Sequence, residues 1–551
     1  MKKILLTLLS FLAIYPMIFA GGIVTNSNQS AAWVRSLARD ASVDVDAVFY
    51  NPAGLTRLED GFYIQVNNQT VNQTRTITST YPTLNNGTYE GKTFVPVLPT
   101  VFAAYKFGKF AVSGGFSVIG GGGSAEFDRG LPEFEYQISG LPDALTTVGQ
   151  KAGYDLTVNK YEMEQYFNGT SAYYGFQGAV SYALNDNVSI ALGARYVTAK
   201  NTYNGYLKNI NFVTPNGTVK GVDFMAGANP VILGVASQLT GVTQIPALLN
   251  PYLGAYGGAT LTEAKALLDQ IDPSYYASLV AAGQLVGLTD PNTVTLQQLN
   301  DGIVGATPSL NEQIAQLNTL ANADLGDKEL DVEQSGSGFA PFFGLDLSLL
   351  NGNLGIALKY EMKTNMNVTT TVNKDNTGTG LFVNNEEVPA NLPALLTLGL
   401  RYKLSGLKLQ AGFHYYFDEA AKYGKKNADG EFVTNGEETT FSNSSDTKLL
   451  SNNSWEFAIG AQYDITKLFG LSAGYLKAQT YPNSAYQSAL SYSQPTSTFG
   501  FGAVVHPTSK FDIELGVSFT SYDDYTKEFS GYSETYDKTA TIIALGLSYK
   551  L

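Results

Sequence analysis

Apolar and polar residues alternate along most of the chain from residue 62 to the C-terminus. Clear runs are 407–417, 455–463, 511–519 and 543–551. A period of two is typical of β-strands with one apolar face and one polar or small face. The polar face of these runs carries Gly and Ala as often as long side chains, which suits a crowded interior better than a solvated surface. The pattern therefore predicts an all-β protein whose apolar faces point outward.

The connections between these runs have two lengths. Short, turn-forming clusters lie at 108–109, 185–187, 351–353, 405–406, 466–467 and 506–510. Long connections lie at 79–95, 121–170, 209–336, 374–392, 419–450, 479–493 and 527–536. Thirteen connections imply fourteen strands, and an even number with short turns at one rim and long loops at the other is typical of outer-membrane barrels. We therefore predict a 14-stranded antiparallel transmembrane β-barrel over residues 61–551, in the outer membrane of a Gram-negative bacterium.

The longest loop, 209–336, changes to a helical period. Thr260 and Glu263 have the spacing of a capping box at a helix start. Asp272-Pro273 predicts a second helix running through Val286, and Thr307-Pro308 with Ser309 and Glu312 predicts a third. The loop is thus expected to be a partly helical extracellular insertion. It either gathers ligand or is a lid or surface decoration.

The N-terminus has the pattern of an export signal over residues 1–20. Lys2 and Lys3 precede an apolar stretch, 4–19, and Ala20-Gly21 fits a cleavage point. The alternative is an uncleaved anchor. Residues 21–60 do not alternate, and 31–39 could form one or two helical turns ahead of the strong breaker at 51–54. This stretch is either a plug (a hatch) inside the barrel or a periplasmic tail.

Composition excludes several classes of function. The 551-residue chain has no Cys and two His, which leaves no thiolate metal site, iron–sulfur cluster or disulfide framework. Its net charge of −14 argues against nucleic acid, which requires a basic surface. We expect no metal, no cofactor and no enzymatic activity. A lipase-type site would need a Ser/His pair facing the lipid, whereas the alternation points His414 into the barrel.

Residues 46–55, Asp-Ala-Val-Phe-Tyr-Asn-Pro-Ala-Gly-Leu, resemble the long-chain fatty-acid transporter (FadL) family, which includes toluene-type aromatic hydrocarbon channels. The triplet Asn51, Pro52 and Ala53 matches the hatch of that family, and fourteen strands match its barrel. The resemblance implies that the hatch folds into the barrel and blocks direct passage. It also implies that lipophilic molecules move from an outer groove to an inner site, and leave by hatch movement and a kinked third strand. Gly114 and Gly115 are the predicted kink, with Gly120 to Gly123 following. The large insertion at 209–336 departs from the family pattern at the outer groove.

Alternation along the strands also suggests ligand-binding residues. Arg195, Lys359, Lys363 and Arg401 are predicted to point into the barrel, where a basic side chain could pair with a fatty-acid carboxylate. Inward acidic residues offer the alternative of structural ion pairs in the wall; they are Asp346, Glu361, Glu456, Asp512 and Glu514.

The sequence thus predicts a channel that takes up hydrophobic small molecules, with long-chain fatty acids as the first candidate. Aromatic hydrocarbons, a general porin and a surface-binding adhesin or receptor are the alternatives. The expected partners are the ligand, the outer-membrane lipids and the barrel-assembly machinery, since the ending Ala544-x-Gly546-x-x-Tyr549-x-Leu551 looks like a barrel-assembly signal. We expect a monomer.

Overall fold

The computed structural model describes residues 23–442 and 444–551, so the predicted signal peptide lies outside the described residues. The chain divides into two compact units. One unit comprises 137–163 and 208–327, and the other comprises 23–136, 164–207 and 328–551.

The strands are β1 Gly61–Ser79, β2 Thr88–Phe107, β3 Phe110–Phe127, β4 Lys160–Ala183, β5 Val188–Thr214, β6 Gly217–Lys220, β7 Lys328–Leu349, β8 Leu354–Glu361, β9 Asn367–Asp375, β10 Glu387–Pro389, β11 Leu395–Leu404, β12 Leu407–Tyr416, β13 Trp455–Asp464, β14 Phe469–Gln479, β15 Thr496–Thr508, β16 Phe511–Tyr522, β17 Tyr525–Phe529 and β18 Tyr532–Lys550. The α-helices are α1 Ala31–Ser36, α2 Ala47–Tyr50, α3 Pro132–Ser139, α4 Leu141–Ala152, α5 Gly221–Tyr256, α6 Leu261–Ile271, α7 Tyr275–Leu285 and α8 Leu296–Ala321. Short 3₁₀ turns lie at Pro52–Arg57, Pro291–Thr293 and Asp418–Ala420.

Neighbouring strands pair antiparallel into a closed barrel of fourteen strands, which confirms the predicted fold class. The ring closes because β1 pairs with β2 on one side and with β18 on the other. β8 with β9 forms one barrel strand in two segments, and so does β10 with β11. β6 and β17 are short additions beside β5 and β18.

The outer faces of the barrel strands are apolar, as the alternation predicted. On β18, Ile543, Leu545 and Leu547 are 58%, 44% and 40% exposed, whereas Ala544 between them is 1% exposed. Exposed aromatic and aliphatic side chains recur at alternate positions of the other strands, for example Phe499 and Phe501 on β15. A closed barrel with an apolar outer face is the architecture of proteins that span the Gram-negative outer membrane.

The insertion is helical, but two of its three predicted helix starts were wrong. The capping box of Thr260 and Glu263 opens α6 as predicted. α7 begins at Tyr275, because the Asp272 carboxylate accepts from Ser274 and forms a turn ahead of the helix. α8 begins at Leu296 from a second capping box, so Pro308 lies inside a helix that has already formed.

The sequence did not reveal α5, the longest helix of the described residues. It has 36 residues and contains Pro230, Pro246 and Pro251. Its N-cap residue, Lys220, makes no capping hydrogen bond. Internal proline and a missing cap both disfavour a helix. α5 forms nevertheless, because one of its faces is buried against α8.

Candidate functional site

Residues 23–60, the N-terminal segment, fold into three short helical turns ahead of β1. Ser30 caps α1 by accepting from the Trp33 amide at 3.0 Å. Leu37 ends the same helix in the left-handed region, with its amide bonded to the Trp33 carbonyl. All six residues of α1 and all four of α2 are buried. The helical turn predicted within 31–39 is therefore confirmed.

Among the described residues, the N-terminal segment hydrogen-bonds to thirteen of the fourteen barrel strands. Its partners around the ring are Asn67, Thr100, Val118, Gln177, Ser189, Leu345, Lys359, Arg401, His414, Gln462, Ser472, Glu514 and Lys550. A short segment bonded to nearly every strand of a ring crosses its interior.

The Asn51-Pro52-Ala53 turn joins the segment to the wall. The Asn51 side-chain oxygen accepts from the Ala53 amide at 3.2 Å, and its amide nitrogen donates to the Leu345 carbonyl at 2.8 Å. Ser181 donates to the Pro52 carbonyl at 2.7 Å. Asn51 thus holds the turn by hydrogen bonds to two backbone groups.

Two buried charge clusters hold the part of the segment at and just after α1. Arg35 forms a salt bridge with Glu514 at 2.9 Å. The ring of His414 lies between two carboxylates, with Nε2 at 2.8 Å from Asp40 of the segment and Nδ1 at 2.9 Å from Glu456 of the wall. Each cluster joins the segment to a strand by a buried interaction.

A third cluster braces the segment internally. The Arg39 guanidinium contacts both oxygens of Asp46 at 2.8 Å and Asp44 at 2.6 Å. Burial lowers the pKa of Arg39, but attraction to Asp46 and Asp44 outweighs burial and raises that pKa well above its usual value. Arg39 is therefore a permanent cation that fixes the loop between α1 and α2.

A line of inward glycines gives the segment room. An added Cβ at Gly460 or Gly474 would overlap with the Ser36 carbonyl oxygen. These two glycines are cross-strand neighbours on β13 and β14. We call the line the glycine track; its members against the N-terminal segment are Gly399, Gly412, Gly460, Gly474 and Gly500.

Three of the four predicted basic residues are buried against the N-terminal segment. Arg195 and Lys359 meet at Glu361, at 2.6 and 3.2 Å, and the Lys359 ammonium donates to the Phe49 carbonyl at 2.9 Å. Arg401 donates to the backbone carbonyl of Ala41 at 3.3 Å.

The fourth basic residue, Lys363, lies between β8 and β9 and donates to the Ala420 carbonyl at 3.2 Å. The geometry of all four is that of structural bonds, and their contact with ligand stays a prediction.

The barrel wall is interrupted between β2 and β3. The two strands pair up to Lys92 with Glu126, and pairing resumes only at Val101 with Phe116. Pro96 and Pro99 in this part of β2 have no N–H to donate. β3 also slips against β4 on both sides of Gly120. Gly114 and Gly115, the predicted kink, lie in regular pairing, so the irregularity starts beyond them.

The N-terminal segment takes the place of the missing partner along β3. Thr25 forms an antiparallel bridge with Gly120, and the Asn26 amide donates to the Ile119 carbonyl at 2.8 Å. The Gln29 side chain donates to the Val118 carbonyl at 2.9 Å. The segment that crosses the barrel thus also covers the interrupted wall.

A cavity of about 660 Å³ lies beside this interruption. Its apolar lining includes Trp33, Val71, Val95, Leu98, Val118, Leu476 and Ile542. Its polar lining includes Asn26, Gln73, Thr498, Ser518 and Lys538. The volume is in the range of small-molecule sites, about 300–1,000 Å³. None of the four predicted basic residues lines this cavity.

Sequence reasoning missed Arg35, Asp40, the two prolines of β2 and the cavity residue Lys538. The sequence did contain one signal for Arg35 and Asp40. Five charged residues lie within 35–46, a high density for a chain in which 15% of residues are charged. The cavity itself gave no signal, since its lining comes from many strands.

No family model and no curated protein matches the chain. Among solved structures, a FadL homologue from Pseudomonas aeruginosa is similar over 98% of this chain and 99% of that one, with a TM-score of 0.53 and 12% identity. The P. putida toluene transporter TodX matches 92% of this chain and 94% of its own, with 12% identity and a TM-score of 0.46. The Ralstonia pickettii toluene transporter TbuX matches 96% and 98%, with 12% identity and a TM-score of 0.44.

At 12% identity, the similarity to the FadL homologue shows the fold alone. The chain therefore has the fold of the FadL-type outer-membrane barrels, and the resemblance found in its sequence is confirmed at that level.

Proposed function

We propose that the protein is an outer-membrane channel through which hydrophobic small molecules, long-chain fatty acids first among them, diffuse past a movable plug. The carrying observation is that one segment, residues 23–60, both crosses the barrel and covers the interrupted wall beside the cavity. A general porin needs neither feature. In this proposal the N-terminal segment acts as the hatch.

The cavity fits a lipophile better than a hydrated solute. Apolar side chains from β1, β2, β3, β14 and β18 line it, among them Val97 of β2, and Phe94 on the same stretch of β2 is exposed. A ligand that leaves sideways between β2 and β3 would enter the lipid, and residues 25–29 of the segment cover this gap. Displacing the bridge from Thr25 to Gly120 is the step that would open this path.

The insertion and the assembly route belong to the same proposal. The insertion would gather dilute ligand, and the monomeric barrel would enter the outer membrane through the barrel-assembly machinery. The end of β18 supports the latter, because this strand closes the ring by pairing with β1 and carries exposed apolar side chains at alternate positions.

A reversible cross-link tests whether the N-terminal segment must move. The chain has no native Cys, so Ala31→Cys with Gly546→Cys introduces a single possible disulfide. An added Cβ at Gly546 would lie 3.0 Å from the Ala31 Cβ, slightly inside the disulfide range of about 3.5–4.5 Å, and 2.5 Å from the Asn67 Oδ1, so the Asn67 side chain must shift. Uptake of radiolabelled palmitate and toluene by cells would be measured with the link oxidised and reduced, with Gly546→Cys alone as the control that carries the same shift.

We expect uptake to stop on oxidation and to return on reduction, in the double variant only. Palmitate uptake would support fatty acids, and toluene uptake alone would support the aromatic alternative. Equal uptake in the oxidised and reduced states, with the disulfide verified, would reject the movable plug.

A further inference from the structure

Two buried cations face each other across the seam of the barrel, where β1 meets β18. Arg75 on β1 and Lys538 on β18 are directly opposite in the register. Each is 4% exposed. Within residues 23–442 and 444–551, neither side chain forms a salt bridge with a carboxylate.

The neighbours of these cations are uncharged. With its amide oxygen turned toward Arg75, Gln73 accepts from the Arg75 Nε at 2.8 Å. The Lys538 ammonium lies 4.1 Å from the centre of the Tyr522 ring. Tyr492 lies under the Arg75 guanidinium at 6.0 Å. Aromatic faces stabilise a cation only in part, and they leave its charge uncompensated.

Such a pair is unfavourable in the protein alone. Like charges directly opposite on neighbouring strands repel each other, and a buried cation without an anion loses its hydration. An anion placed against Lys538 would relieve both effects. The bond would also be charge-assisted, the stronger kind of hydrogen bond.

Lys538 lines the 660 Å³ cavity, so an anion can reach it there. The cavity also contains Glu456, but that carboxylate is already engaged by His414 and Tyr416. The hydroxyl of Ser518 in the same lining is buried and, within the described residues, has no hydrogen-bond partner. One orphaned hydroxyl and one uncompensated ammonium thus border a largely apolar space.

We propose that Lys538, with Arg75 behind it, is the head-group subsite of the cavity and takes the carboxylate of a single-chain amphiphile. The tail lies along Val71, Ile542 and Leu476, which line the same space. The subsite rests on the proposed function, since it lies in the cavity assigned to the transported molecule. It differs from the four basic residues that alternation indicated, because those are bonded within the protein.

Binding of a matched pair of lipids tests the subsite. Full-length protein in a neutral detergent would be titrated with palmitate and with methyl palmitate, which has the same chain and no charge. We expect the wild type to bind palmitate at least about tenfold more tightly than the ester, in line with a hydrogen bond to a charged group. Lys538→Gln should lose that preference by weakening palmitate alone.

Control variants separate the charge from general damage. Lys538→Arg keeps a cation and should keep most of the preference. Lys477→Gln removes a lysine of β14 that pairs with Asp523, although its neighbours Leu476 and Ala478 line the cavity. This variant should bind palmitate and its ester as the wild type does. Heat-modifiable migration in gels would verify that each variant is a folded barrel.

Equal affinity of the wild type for palmitate and its methyl ester would overturn the subsite, whatever the variants do. Unchanged palmitate binding in a folded Lys538→Gln protein would overturn it as well. In both cases the proposed function would stand, since a neutral lipophile still binds. Failure of palmitate, its ester and toluene to bind at all would instead reject the proposed function.

Discussion

At the residue scale, the inward-facing glycines of the barrel decide whether the N-terminal segment fits. Glycine normally weakens a strand, because its β-propensity is low. In the structure Gly460 and Gly474 lie where the Ser36 carbonyl approaches the wall most closely. Alternation over 455–463 predicted that Gly460 faces inward. It could not predict what this residue faces, since contact with residue 36 depends on how a distant segment folds.

Replacing a track glycine should displace the segment without breaking the barrel. Gly474→Ala puts a methyl group against the Ser36 carbonyl, at a cost of about 1–3 kcal/mol for an overpacked site. We expect increased uptake of small hydrophilic antibiotics, measured as increased sensitivity of the cells. Gly114→Ala is the matched control, because an added Cβ there has its nearest neighbour, the Gln177 carbonyl oxygen, at 3.6 Å. Equal sensitivity in the two variants would contradict the role of the track.

At the element scale, the N-terminal segment and the third strand form one hydrogen-bonded unit. β3 loses its partner over the stretch where β2 carries Pro96 and Pro99, and residues 25–29 supply the missing hydrogen bonds. The sequence predicted a breaker at 51–54 and a kinked third strand, and α2 does end at that breaker. The kink was predicted at Gly114 and Gly115, with Gly120 to Gly123 following, whereas the register of β3 shifts around Gly120. The prolines of the neighbouring strand were the better signal.

Breaking the Arg35 anchor should release this element. Glu514→Gln leaves the Arg35 guanidinium buried without its counter-charge, a loss of about 3–5 kcal/mol for a buried pair. We expect residues 23–60 to become sensitive to protease in purified protein, while the strands stay heat-modifiable. Lys200→Gln, which breaks an exposed pair with Glu333, should leave the segment protected. Protection of the segment in both variants would show that the anchor is dispensable.

The helical insertion can be removed by design. Leu207 pairs with Lys328, and the Asn209 amide bonds to Asp327 at 3.1 Å, so a short turn can replace residues 209–326. Apolar side chains such as Leu233 and Leu248 are about half exposed in this unit. If they gather ligand, excision should slow palmitate uptake at low concentration and leave the heat stability of the barrel unchanged. Unaltered uptake at every concentration would favour a decorative role.

At the scale of the whole molecule, period-two alternation and turn spacing were sufficient for the fold. They predicted fourteen strands and all six short turns, because each depends on neighbouring residues. The site was harder to predict. The cavity and the pair of Arg75 and Lys538 depend on closure of the ring, which brings β1 against β18 from opposite ends of the chain. Three of the basic residues chosen by alternation are buried in the barrel, but Lys359 and Arg401 donate to the N-terminal segment and Arg195 pairs with Glu361 of the wall.

The most direct test of the account is the single-channel conductance of intact protein against protein lacking residues 23–58, in a planar bilayer. A plugged channel predicts a low conductance for the intact barrel, because among the described residues the segment bonds to thirteen of its fourteen strands. It predicts a large, steady conductance after the deletion, together with a loss of palmitate uptake in cells as the cavity loses Trp33 and Asn26 from its wall. A large and equal conductance in both proteins would contradict the plugged channel and favour a general porin.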